Sequence, residues 1–147
     1  MVANRLVQLI EAHSDELAAS LVERLRHSSR TVSFLKIPED SLRQAADDLY
    51  RHLGDWLNNK TETDIEYRFV QVGTMRAEQR IPLSDFVWAM IITKESIWRF
   101  LQMQSVERVF DLYGELELIH LIDQFFDRAL YYATLGYSQA ERASRAA

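Results

Sequence analysis

The chain has 147 residues, 48% hydrophobic and 27% charged, so it is long enough for one domain with a core and too apolar for a disordered segment. Its net charge of −5 and its lack of a basic run argue against nucleic-acid binding, which relies on clustered lysine and arginine. The absence of cysteine excludes disulfides, thiolate nucleophiles and cysteine metal sites, and it fits a reducing compartment.

The first predicted helix covers residues 4–28. Its apolar stripe consists of Leu6, Ile10, His13, Leu17, Leu21 and Leu25. Ser14 and Asp15 are favourable N-cap residues, so we expect a kink near His13. Residues 28–37 lose the helical spacing and are predicted to form a connection.

A second helix is predicted to start at Pro38, because proline followed by acidic residues is a helix start signal. It is expected to end at Asn58 and Asn59. Its apolar face consists of Leu42, Ala46, Leu49, Leu53, Trp56 and Leu57. Thr63 and Glu66 match the pattern of a capping box, which predicts a third helix from there to about residue 80.

Pro82 interrupts the chain before a fourth helix that begins near Leu83 and is apolar around most of its circumference. Such a helix is buried on several sides or pairs with another chain. A last helix from near Ser105 to Glu141 or beyond would be roughly 55 Å long, against ~30 Å for the earlier ones. We expect it to bend, with Gly114 as the candidate position, or to project beyond the bundle.

No segment shows the alternation of apolar and polar residues that is typical of a strand. The sequence therefore predicts an all-α antiparallel bundle of four to six helices with a long C-terminal helix, in a single domain of residues 1–147. Residues 138–147 have the composition of a linker toward an output module. No signal peptide is evident, and no apolar run approaches the ~18 residues of a membrane span, so we expect a cytoplasmic protein without a membrane partner.

The motifs searched for chemistry are incomplete or absent. Glu117 and His120 match one half of the Glu-x-x-His pattern of di-iron bundles, but no other histidine has an acid three residues before it. No nucleophile elbow or phosphate loop occurs, so we expect neither a metal site nor an enzyme. His13 lies most clearly on an apolar stripe, which makes it the candidate ligand if the domain binds haem; a structural histidine is the simpler interpretation.

Polar and small residues on the third and fourth helices suggest a structural role. Gly73 lacks a side chain and therefore allows another helix to approach closely. Glu95 interrupts the apolar fourth helix, and a charge in such a place tends to have a partner, for which Arg76 is the candidate. In the alternative, both charged side chains reach solvent.

The last helix is rich in aromatic residues. The series consists of Phe125, Phe126, Tyr131, Tyr132 and Tyr137. Such residues most often fill a core, which is the prediction here. Because tyrosine combines an apolar ring with a polar tip, a ligand cavity and a dimer seam are the alternatives.

Three stretches resemble the N-terminal domain of RsbRD-type proteins, co-antagonists in bacterial stress signalling. They are residues 37–42 (IPEDSL), residues 72–86 (with VGTMRA and IPLSDF) and residues 126–140 (from FDRA to LGYSQA). The resemblance covers nearly the whole chain. It implies a helical regulatory domain, usually fused to a C-terminal output module such as a STAS domain or a histidine kinase, and it brings no catalytic residues. Related stress regulators have a globin-like domain without haem, so a globin-like arrangement is one expectation.

The resemblance, the apolar fourth helix and the overlong last helix together predict a non-catalytic sensory input domain. We expect it to be a homodimer that passes a signal of unknown identity, such as a small molecule, through its C-terminal helix. The alternatives are a haem- or tetrapyrrole-binding globin-like sensor and a helical protein-interaction module without a ligand.

Overall fold

The computed structural model describes residues 2–104 and 112–146, and the side chains of residues 5–104 and 116–146. Within these ranges the chain forms seven α-helices and one 3-10 helix and contains no strand, which confirms the all-α prediction. The elements are α1 (Val2–Ala12), α2 (Ser14–His27), the 3-10 helix (Ser29–Lys36), α3 (Glu39–Arg51), α4 (Leu53–Asn58), α5 (Glu62–Glu78), α6 (Leu83–Gln104) and α7 (Leu112–Ala146).

The described part of the chain holds more helices than the predicted four to six, because histidines divide two of the predicted ones. His13 (φ −111°, ψ 23°) separates α1 from α2, and His52 (φ −109°, ψ 22°) separates α3 from α4. The kink near His13 is thus confirmed, whereas the break at His52 was not predicted. No side chain caps the start of α2, so neither Ser14 nor Asp15 acts as the expected cap.

Three histidines make the same hydrogen bond at helix ends. The Nδ1 atoms of His13, His27 and His52 each lie 2.8–2.9 Å from the carbonyl oxygen four residues earlier. Because a carbonyl oxygen only accepts, Nδ1 carries the proton in each ring. The carbonyl oxygens of Leu9 and Asp48 also accept the backbone N–H of His13 and His52, so the imidazole adds a second hydrogen bond in the last turn of α1 and of α3.

Residues 28–37 connect α2 to α3, as predicted, and most of them form the 3-10 helix, which has a kink at Thr31 (φ −130°, ψ 21°). Its buried side chains are Thr31 and Phe34, and the Thr31 hydroxyl donates to the carbonyl oxygen of Leu25 at 2.7 Å. A 3-10 helix repeats every three residues, so a search at a period of 3.6 does not detect it. Phe34 thereby enters the core.

The capping box of α5 lies two residues earlier than predicted, so the pair Thr63 and Glu66 is wrong. The Thr61 hydroxyl accepts from the Asp64 backbone N–H at 3.2 Å, and the Asp64 carboxylate accepts from the Thr61 backbone N–H at 2.8 Å. Aspartate serves here in the position that glutamate usually takes. α5 ends at Glu78, and Arg80, with a φ of 61°, turns the chain toward α6.

α7 has 35 residues and is about 52 Å long at ~1.5 Å per residue, against about 26 Å for the 17 residues of α5, so the long C-terminal helix is confirmed. Its predicted start near Ser105 lies outside the described residues. α7 includes Gly114, so the helix is not interrupted there.

α5 and α7 share the most extensive helix–helix contact among the described elements. The two helices run in the same direction: Glu62, at the start of α5, binds Arg128, while Gly73, further along, meets Ala133 and Tyr137. Residue numbers on the two helices therefore rise together. α6, which lies between them in the chain, runs in the opposite direction, so the chain reverses once before α6 and once after it.

Two glycines bring the backbones of α5 and α7 into contact. A Cβ atom on Gly73 would lie 1.8 Å from the carbonyl oxygen of Ala133, and one on Gly136 would lie 2.2 Å from that of Val70. Any larger residue at either position would push the helices apart. The glycine Cα–H groups point at the carbonyl oxygens instead, which is the geometry of the weak Cα–H···O bonds that recur at helix interfaces.

A buried polar cluster joins α2, α3 and α6. The Tyr50 hydroxyl, in a fully buried side chain, donates to the carbonyl oxygen of Thr93 at 2.9 Å. Burial raises the pKa of this hydroxyl, so it stays protonated and keeps its role as donor. Nearby, Arg24 donates to the Ser96 hydroxyl at 2.9 Å.

We predict that Gly73→Ala and Gly136→Ala each lower the free energy of unfolding by at least about 2 kcal/mol, because the new methyl group meets backbone atoms. Gly54→Ala is the matched control: its Cβ atom would meet only side-chain atoms of Glu11 and Val7, at 3.2 and 3.3 Å. Urea denaturation measures all three variants. Equal stability of the Gly73→Ala and Gly54→Ala variants would contradict the backbone contact.

We predict that Thr61→Ala lowers the free energy of unfolding by about 1 kcal/mol at neutral pH, whereas Thr63→Ala leaves it nearly unchanged. Hydrogen bonds from the backbone and hydroxyl groups of Thr61 hold the pKa of Asp64 below its usual value. Because the folded pKa is depressed, the contribution of Asp64 is present above the unfolded pKa and is lost as pH falls through the folded pKa. The difference in unfolding free energy between the wild type and Thr61→Ala should therefore become smaller in acid. A difference that stays constant down to pH 2 would count against the capping box of Thr61 and Asp64.

Candidate functional site

α3 packs on α2 and α5 packs on α7, so that α3 and α5 face each other across a groove. The groove encloses about 600 Å³, within the range of small-molecule sites. On the α5 side it is lined by Arg68, Phe69, Val72, Met75, Arg76 and Gln79. These positions are spaced by three and four residues and therefore share one face of the helix.

The floor of the groove is apolar and aromatic. Phe34, Phe86 and Phe126 contribute buried rings from the 3-10 helix, α6 and α7. Phe125 lies behind the floor, with its ring centroid 5.6 Å from that of Trp56 and 5.1 Å from that of Phe126. The groove is thus continuous with the aromatic core rather than a shallow surface depression.

Two cations stand on the α5 wall of this apolar groove. Arg76 donates to the side-chain oxygen of Gln79 at 2.8 Å, and its guanidinium carbon lies 5.7 Å from the centre of the Phe34 ring. Gln79 is neutral, so neither contact neutralises the charge. In the part of the chain that the structure describes, neither Arg68 nor Arg76 forms an ion pair with a carboxylate.

Burial lowers the pKa of the Arg76 guanidinium below its usual value, and the positive charge of Arg68 lowers it further. Both effects act against the charged form, because a cation loses hydration on burial and is repelled by a like charge. Arginine nevertheless keeps its proton throughout the physiological range. The groove therefore carries two positive charges that form no ion pair with a carboxylate in the described part of the chain.

Aromatic contacts connect the groove to α7. The Phe86 ring, which lines the groove, stacks on Tyr137 of α7 with a centroid distance of 6.3 Å. The buried Tyr137 hydroxyl donates to the carbonyl oxygen of Ile81 at 2.7 Å, in the turn between α5 and α6. A change in the groove at Phe86 thus has a direct route to α7 and to that turn.

The structure places the predicted site residues in different surroundings. Glu95 lies 3.8 Å from Arg24 on α2, while Arg76 bonds to Gln79, so the predicted Arg76–Glu95 pair does not form. The sequence indicated a charge needing a partner, but it could not show which helix faces Glu95.

The aromatic residues of α7 divide between the core and the surface. Phe125 and Tyr137 are buried, whereas Tyr132 is half-buried and donates from its hydroxyl to Glu62 at 3.0 Å. Tyr131 is 62% exposed. The core interpretation therefore holds for part of the series, and Phe126 lines the groove as well.

His13 is half-buried, and its ring centroid lies 5.2 Å from that of Phe100. It does not line the groove, nor do the other three histidines. Its Nδ1 atom makes the same helix-end bond as those of His27 and His52, so capping explains its position. Ligation of haem by His13 stays a prediction.

Glu117 and His120 are both exposed on α7. Among the described residues there is no group of three or more histidine, cysteine or acidic side chains placed to hold a metal ion. Within those same residues, no helix combines the length and the apolar character that crossing a membrane requires.

Sequence reasoning missed Arg68, Gly136 and the groove itself. A signal for Arg68 was present, because it lies eight residues before Arg76 and so shares its helix face. For Gly136 the signal was its place after Ala129 and Ala133 in a stripe of small residues. The groove left no local signal, because it depends on the separation of two helices that are not adjacent in the fold.

No curated protein and no solved structure matches the chain. A family model, described as the RsbT co-antagonist protein rsbRD N-terminal domain, matches residues 15–147. The match extends from the first turn of α2 through α7 and so includes the groove and the glycine contact. This agrees with the resemblance of the three short stretches. The chain therefore belongs to the family of RsbRD N-terminal domains, a family of stress-signalling regulators.

Proposed function

We propose that the domain is a non-catalytic input module that passes its state through α7 to an output module such as a STAS domain or a kinase. The observation that carries this proposal is the backbone contact of α7 with α5 at Gly73 and Gly136. Family membership supports the regulatory role. A globin-like arrangement of the helices also stays a prediction.

The glycine contact suits a switch because it favours discrete arrangements. Backbone atoms of α5 and α7 come into contact where each glycine faces a carbonyl group, so a slide or rotation of α7 would bring larger side chains into these positions. Packed interfaces of this kind are bistable rather than continuously deformable. A signal would act by binding one arrangement more tightly than the other.

Tyr137 joins α7 to the groove and to the turn between α5 and α6. Its ring stacks on Phe86 of the groove, and its hydroxyl holds the α5–α6 turn through Ile81. A movement of the groove floor would therefore change the position of α7 near its exposed end, residues 142–146. An output module attached to this end would carry the change onward to the component that acts on RsbT.

We further propose that the domain is a homodimer. Leu116 and Ile119 are 53% and 41% exposed, and their spacing of three residues places them on one face of α7. Large apolar side chains that share an exposed face mark interaction surfaces. A dimer through α7 would place two signalling helices side by side.

Removal of the Tyr137 hydroxyl should change signalling more than stability. We predict that Tyr137→Phe shifts the affinity of the full-length protein for RsbT several-fold, while the free energy of unfolding falls by only about 1 kcal/mol. Tyr131→Phe is the control, because this hydroxyl belongs to an exposed ring. Titration of RsbT against the three proteins measures the effect. If both variants bind RsbT as wild type does, α7 does not transmit through Tyr137.

The dimer has its own test. We predict that the wild type sediments as a dimer at micromolar concentration and that Leu116→Lys with Ile119→Lys yields a folded monomer, because two cations would have to be buried. Val32→Lys, at a 53% exposed apolar position on the 3-10 helix, is the control and should remain dimeric. A monomeric wild type would remove the dimer proposal.

A further inference from the structure

The groove between α3 and α5 combines an apolar floor with two arginines on one wall, neither of which forms an ion pair in the described part of the chain. A groove that only filled space would gain nothing from two arginines on one wall, of which Arg76 is desolvated by burial, because burying a charge without a partner is unfavourable. The protein as a whole carries a net charge of −5, so a local excess of positive charge is not a reflection of composition. An anion bound in the groove would give Arg68 and Arg76 a partner of opposite charge.

We propose that this groove binds a small amphiphilic carboxylic acid, with its apolar body on the aromatic floor and its carboxylate against Arg68 and Arg76. The proposal deepens the proposed function by naming the chemistry of the signal. It depends on that function only for the step from binding to α7.

The charges on the two walls give the ligand a direction. Arg68 and Arg76 line the α5 wall, whereas Asp48 lines the α3 wall and is exposed. His52 is the group that faces Asp48, with Nδ1 3.3 Å from its carboxylate. A carboxylate is therefore attracted to α5 and repelled from α3. Arginine suits this role because its planar fork matches the two oxygens of a carboxylate.

The volume of the groove favours a small molecule over a peptide helix. At about 30 Å³ per heavy atom, the share of one water molecule in the liquid, 600 Å³ accommodates about 20 heavy atoms. A helix about 10 Å across would fill the same volume with only about five residues. An acidic amphipathic helix would therefore leave most of its length outside the groove.

The apolar body would lie on residues that already connect to α7. Phe126 belongs to α7 itself, and Phe86 stacks on Tyr137. Filling the space above these rings would favour the arrangement in which they are packed against the ligand. Binding and the state of α7 are thus coupled through the same side chains.

The test uses the whole chain and isothermal titration with decanoate, below the concentration at which it forms micelles. Decanol serves as the neutral ligand of the same length, and decyltrimethylammonium as the cationic one. We expect decanoate to bind one per chain and at least about tenfold more tightly than decanol, as for a charge-assisted hydrogen bond. The cationic ligand should bind most weakly.

Variants assign the binding to the groove. Arg68→Gln and Arg76→Gln should each weaken decanoate binding about tenfold and leave decanol binding unchanged, which also shows that the groove is still formed. Arg43→Gln is the matched control, because Arg43 is exposed on α3 and does not line the groove. Ala45→Trp, at an exposed position on the groove wall, should block both ligands.

Three results would overturn the proposal. They are decanoate binding no tighter than decanol, Arg76→Gln behaving like Arg43→Gln, and binding of an acidic amphipathic peptide but not of decanoate. Hydrogen exchange of residues 133–141 separates the site from the switch. If decanoate binds as expected but exchange there is unchanged, the site stands and transmission through α7 fails.

Discussion

The backbone contact between α5 and α7 is the constraint on which the rest of the fold depends. Two helices come this close only where a residue has no side chain. Gly73 on α5 and Gly136 on α7 are the residues that allow it here. With α7 fixed against α5, α6 runs back along the bundle and packs against α2, the 3-10 helix and α7. α3 is held by α2 instead, and the space between α3 and α5 remains open as the groove.

Several polar side chains bind the backbone, and two arginines on the groove do not. Three histidines bind carbonyl oxygens at helix ends, and Tyr50 and Tyr137 bind carbonyl oxygens of α6 and of the α5–α6 turn. The two tyrosine bonds remove the penalty of unpaired polar groups in the interior. Arg68 and Arg76 differ, because they satisfy nothing in the domain that requires a cation. Their position on the groove indicates recognition rather than stability.

The sequence was sufficient for the elements whose signals are local. The proline before α6 and its apolar surface predicted that helix with its correct start, and the length of α7 followed from uninterrupted helical spacing. The capping box was recognised by type but misplaced by two residues, because Thr61 with Asp64 and Thr63 with Glu66 both satisfy the pattern and only packing decides between them. The 3-10 helix was missed because its period differs from 3.6 residues.

The site was predictable only in fragments. Gly73 was singled out because a glycine inside a helix requires a reason, but its counterpart in α7 lies 63 residues away in sequence. The partner of Glu95 was misjudged for the same reason, since Arg24 on α2 is distant in the chain and reaches it only through the fold. Electrostatic partners and grooves depend on which helices face each other, and no local pattern in one sequence records that.

The contact between α5 and α7 can be observed directly by nuclear magnetic resonance in isotopically labelled protein. We predict nuclear Overhauser effects between the Cα protons of Gly73 and the amide proton of Tyr137, and between the Cα protons of Gly136 and Val70, because the corresponding backbone atoms are in contact. If these protons are assigned and show no such effects, the two helices are not in backbone contact, and α7 is not held in the way that transmission through it requires.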